Sequence, residues 1–160
     1  MLDNTTGSSN VAIGRSALEN NTTADNNTAV GRSALKANTT GAINTGVGYL
    51  ALAKCTTGSS NVALGYDTLG ELTTASDNTA VGYAALQAST SATGLAAFGK
   101  GALRVNTTGS NNTAVGQNAL VANTTGANNV ALGGQALEAA TTAGNNVAIG
   151  YRASSSSTTA

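Results

Sequence analysis

Glycine recurs every 17 residues through this chain without a single insertion or deletion: Gly14, Gly31, Gly48, Gly65, Gly82, Gly99, Gly116, Gly133 and Gly150. Such a period means that each unit is one rung of a stack, because insertions are tolerated in loops but not where every residue pairs with its equivalent above and below. The five residues ending at each glycine read NVAIG, NTAVG, NTGVG, NVALG, NTAVG, LAAFG, NTAVG, NVALG and NVAIG. Four residues beyond the glycine stands Leu18, Leu35, Leu52, Leu69, Leu86, Leu103, Leu120 or Leu137, with Ser154 in the last unit. A polar stretch follows, in which Thr22, Thr39, Thr56, Thr73, Thr90, Thr107, Thr124, Thr141 and Thr158 form an unbroken column.

A unit of 17 residues is too short for two-helix repeats, which need about 33 or more. Its glycine, asparagine and threonine content also makes a poor helix interior. The pentad alternates with period two and reads as a strand. The x-x-A-L segment reads as a second short strand with its leucine inward, and N-T-T-G-x-N as a turn. The expected fold is all-β: a parallel β-solenoid (β-roll) of nine 17-residue rungs, about 43 Å long at the usual strand spacing. Residues 1–9 form a partial leading rung, 10–153 the repeat domain and 154–160 a degenerate polar tail.

The expected core comprises the leucine column and the column of Ile13, Val30, Val47, Leu64, Val81, Phe98, Val115, Leu132 and Ile149. The turn glycines are the nine that set the period. Between the apolar positions of each strand runs a stripe of Ala12, Ala29, Ala63, Ala80, Ala97, Ala114, Ala131 and Ala148, with Gly46 in the third rung. On the strand face opposite the core, this stripe suits close packing against another chain. It equally suits a tight turn, or a rung whose two strand faces are both partly interior. The core is thin, so a rung needs its neighbours to be stable.

Composition removes several function classes. Charged residues are 9% of the chain, seven basic against seven acidic. That balance lacks the electrostatic footprint of a nucleic-acid binder. Apolar runs fall far short of the roughly 20 residues that span a membrane. With no His and one Cys, the usual zinc ligand sets cannot be built, and no cofactor is expected. The carboxylates fall in different columns with no recurrent pair for acid–base work; only Asp25 and Asp77 approximate the turn aspartates of calcium-binding repeats. Cys55 stands where other units have Asn21, Asn38, Asn106 and Asn123, and lacks a histidine to activate it. It reads as an incidental substitution or an interchain link, and the chain as a non-enzyme.

Tyr49, Tyr66 and Tyr83 follow the glycine in consecutive units. Stacked, they would grip a sugar face or a neighbouring chain, or simply stabilise the solenoid. The threonine columns suggest either an ice-binding surface or hydrogen-bond ladders. Asn-x-Thr sequons at Asn4, Asn21, Asn38, Asn106 and Asn123 follow from the repeat and leave a glycosylated filament open.

The pentad Asn78–Gly82 with Tyr83, Ala85 and Leu86, and again Asn112–Gly116 with Ala119 and Leu120, resembles the head repeats of YadA-like trimeric autotransporter adhesins and the N-T-A-x-G-Y-x-A-L repeats of phage tail fibres. The resemblance covers nearly the whole chain, although 17 residues exceed the adhesin period and no coiled-coil neck or membrane anchor appears. It implies a left-handed roll, a homotrimer and a role in attachment to a host receptor or glycan. The expected function is thus a structural and adhesive segment of an extracellular, cell-surface or virion fibre. The alternatives are a self-assembling extracellular filament, stacked end to end, and an ice-binding protein. Met1-Leu2-Asp3 leads directly into the repeat, which reads as the absence of a signal peptide. The terminal rungs show no capping helix, which also points to a fibre component.

Overall fold

A computed structural model describes residues 3–156 and 158. Nine strands of three residues lie among them: β1 (Val11–Ile13), β2 (Thr28–Val30), β3 (Thr45–Val47), β4 (Val62–Leu64), β5 (Thr79–Val81), β6 (Ala96–Phe98), β7 (Thr113–Val115), β8 (Val130–Leu132) and β9 (Val147–Ile149). They form one parallel sheet in chain order. The register is the sequence period itself: Val11 faces Thr28, Ala12 faces Ala29 and Ile13 faces Val30. The same offset holds through Val130–Val147 and Leu132–Ile149. The fold is therefore a β-solenoid, one rung per repeat.

Backbone pairing continues beyond the strands. The N–H of Leu18 donates to the carbonyl of Ala34 at 3.1 Å, and that of Thr22 to Thr39 at 3.2 Å. Each corner is thus also held to the next rung.

Two expectations are corrected here. The A-L segment is not a second strand. Ala17 N–H donates to Gly14 C=O and Asn21 N–H to Leu18 C=O, both at 3.3 Å, so two successive turns replace it. Every leucine of the column has a left-handed backbone, φ +47° at Leu18 and +53° at Leu52. That conformation disfavours a residue with a Cβ by about 1–2 kcal/mol. It persists because the turn aims the leucine into the centre of the rung, where Leu18, Leu35, Leu52, Leu69, Leu86, Leu103 and Leu120 are fully buried.

The second correction concerns the strands, whose two faces are exchanged. The alanine stripe points inward: Ala29, Ala63, Ala80, Ala97, Ala114 and Ala131 are completely buried. The supposed core column of Ile13, Val30, Val47, Leu64, Val81, Phe98, Val115, Leu132 and Ile149 faces outward, with Ile13 60% and Phe98 40% exposed. The cause is space. A Cβ placed on Gly46 would lie 3.4 Å from Leu35 Cγ and 3.2 Å from the Ala51 carbonyl oxygen. The leucine opposite fills the rung so fully that the strand can present only a methyl or a hydrogen to it. Larger side chains are forced to the other face. Ala12 in the first rung is half-buried.

The periodic glycine answers two constraints together. Gly14 has φ +121°, and a Cβ there would lie 2.7 Å from the Gly31 carbonyl oxygen of the next rung. Both the dihedral and the close approach demand a hydrogen in that place. No helix among the described residues is long and apolar enough to cross a membrane.

Candidate interaction surfaces

The exchange of strand faces leaves an apolar sheet surface on the outside. Its two rows are Val11, Thr28, Thr45, Val62, Thr79, Ala96, Thr113, Val130 and Val147, and the Ile13-to-Ile149 column already named. No charged residue occurs in either row. Threonine in the first row keeps the surface β-branched without a formal charge, and Phe98 is the one aromatic residue on it. A water-facing strand edge or surface ordinarily carries charged side chains such as Lys; these two rows carry none, and their only polar residues are four threonines.

Tyr49, Tyr66 and Tyr83 do form a ladder beyond the glycine corner. Ring centroids are 5.2 Å apart with planes at 26° for the first pair, and 5.1 Å apart at 8° for the second. The rings therefore cover one another's faces. The guanidinium of Arg32 sits 5.6 Å over the Tyr49 ring, and the Lys100 ammonium 6.0 Å from the centre of Tyr83. The ladder is a cation–π-capped stack. Inner faces are spent on stacking and each end carries a cation, so hydroxyls and ring edges remain for a partner. Tyr151 stands apart and exposed.

The polar columns serve the interior. Asn27, Asn44, Asn61 and Asn78 are fully buried. The carboxamide oxygen of Asn27 accepts the Asn44 backbone N–H at 2.9 Å, and Asn44 Nδ2 donates to the Gly58 carbonyl at 2.8 Å. In the other column Asn38 Nδ2 donates to Asn21 Oδ1 at 2.8 Å and to the Gly41 carbonyl at 2.9 Å. With both amide protons engaged and no exposure, Asn38 has no room for a glycan in the folded rung. Asn21, Asn106 and Asn123 are buried likewise, which removes those four sequons as glycosylation sites of the native state. Cys55 lies in this same column, buried. Its thiol donates to the Gly58 carbonyl at 3.5 Å, and burial pushes its pKa up to about 11. It is inaccessible to an interchain disulfide.

Threonine hydroxyls are spent in the same way. Thr22, Thr39, Thr56 and Thr124 each donate to the carbonyl of the threonine one rung on, at 3.1 Å. A hydroxyl row so engaged is a backbone clip, which weakens it as an ice-matching plane. Charged residues also clip rungs. Lys54 pairs with Glu71 at 2.6 Å and Lys36 with Glu19 at 3.7 Å. Asp25 accepts the Ser8 N–H at 2.6 Å and hydroxyl at 3.0 Å, which lowers its pKa. Among the described residues no three His, Cys, Asp or Glu side chains gather as metal ligands. No protein family, no curated protein and no solved structure matches the chain.

Proposed function

We propose that the chain is a structural and adhesive fibre segment in which three copies pack their outward sheet faces around a common axis. The observation that carries this reading is the uncharged, β-branched face that runs the length of the sheet. Its occupant is a second and third copy of the same chain, because every rung presents the same rows at the same spacing. The likeness of the repeat pentads to YadA-like head and tail-fibre repeats supports the same arrangement. Burial of the alanine stripe moves the proposed interchain contact from that stripe to the valine-rich face. A rod built in this way displays its corner columns many times over, and repetition converts weak contacts into durable attachment.

Replacing the outward Val81 by cysteine tests the arrangement, with the buried Cys55 as an internal blank. A short bismaleimide should link chains of V81C and leave T108C, whose threonine is exposed on a turn, unlinked. Modification of V81C without linkage, or equal linkage of both variants, overturns the axial packing.

A further inference from the structure

The ladder of tyrosines ends at Tyr83, and a groove of about 390 Å³ opens there. Its lining includes Tyr83, Lys100, Gly101, Arg104, Asn118 and Glu138. Once the corner is known, one cause of the groove can be named. Gly101 stands where other rungs carry Ser33, Leu50, Asp67 or Asn118, so one rung lacks the side chain that fills this corner elsewhere. The charges in the groove also differ from those of the inter-rung clips. Lys36 and Lys54 are paired with carboxylates, whereas Lys100 and Arg104 take part in no ion pair among the described residues.

We propose that this groove binds a uronic acid unit of an anionic polysaccharide. The carboxylate of such a sugar suits the planar fork of Arg104 with the Lys100 ammonium beside it. The apolar C–H groups of a pyranose suit Val121 and the exposed Tyr83, whose outer ring face already carries the Lys100 ammonium at 6.0 Å. Hydroxyls find a donor and acceptor in the Asn118 amide and acceptors in Glu138. That carboxylate already takes one bond from Gln135 at 3.1 Å and keeps lone pairs to spare. Arg104, Val121 and Glu138 share one column, so cation and carboxylate stand two rungs or about 9–10 Å apart. The separation puts an acid-binding end and a hydroxyl-binding end on one groove. A neutral sugar would leave the two cations unmatched. All these residues belong to one chain, so the site does not depend on how many chains associate.

The test is titration with trigalacturonate, and with its fully methyl-esterified form, followed by calorimetry and tyrosine fluorescence. Saturable binding of the acid form alone is expected, weakening as salt rises. K100Q and R104Q should each lower affinity about tenfold, in line with loss of a charge-assisted bond. G101N should abolish binding by filling the groove and turning aside the Asn118 amide, whose oxygen a Cβ at position 101 would meet at 2.6 Å. Asparagine tolerates the left-handed backbone of that position, φ +68°, and the next rung already carries Asn118 there. R15Q, outside the groove, should bind as the native chain does. No binding of the acid form, equal binding of the ester, or undiminished binding by G101N with an unchanged circular dichroism spectrum would each overturn the proposal.

Discussion

Asn38 and Asn123 each hold a buried carboxamide oxygen that no donor reaches. The reason lies one rung further on, where Cys55 and Ala140 interrupt the column that asparagine otherwise fills. A ladder of side-chain amides transmits its satisfaction from rung to rung, so a single substitution leaves its neighbour's acceptor orphaned. Cys55 brings a second consequence. Its folded pKa of about 11 lies above that of a solvated thiol, because burial disfavours the thiolate. A raised pKa of this kind gives stability that is complete below the unfolded value and is lost as pH rises through the folded one. Stability of the native chain should therefore fall by about 2–3 kcal/mol between pH 9 and pH 11 relative to C55A. Urea unfolding of both chains across that range measures it, and parallel curves would show that the thiol is not the source.

At the scale of the strand, the exchanged faces make a specific claim about packing. Ala80 is fully enclosed and Val81 is half-buried at the outer surface. A80V should lower stability by about 1–3 kcal/mol through overpacking, and by more than V81A does when both are measured at a concentration where chains are separate. Thermal unfolding decides it, and the reverse order would restore the valine column to the interior. The sequence makes the period, the register, the parallel sheet, the burial of the leucines and the tyrosine stack legible, because each follows from repetition alone. Which strand face turns inward does not follow from alternation. Alternation separates Val11 and Ile13 from Ala12 but carries no sign. The sign came from the corner, where Leu18 adopts a left-handed turn and uses the space that a valine would need. The tyrosine ladder could be foreseen, but the groove at its end could not. It depends on Tyr83, Lys100 and Glu138, residues of three different rungs, lining one corner whose shape the turns determine.

For the whole molecule, the solenoid has a small interior and a large, uncharged outer sheet, an unusual balance for a chain of this length. Inward-facing methyls and leucines, together with amide and hydroxyl ladders, hold one rung to the next. The outer face contributes to stability only when something covers it. Under the fibre reading, a second layer of burial comes from the partner chains, and the exposed corners are free to carry contacts such as the groove beside Tyr83. Cold-labile association would accompany this, since most of the contact is apolar and such burial weakens on cooling. Light scattering coupled to gel filtration, at room temperature and moderate salt, is the most direct test. A single species of three times the 15.5 kDa of one chain is expected. A species of 15.5 kDa that persists at high concentration, with thermal hysteresis in its freezing, would contradict it.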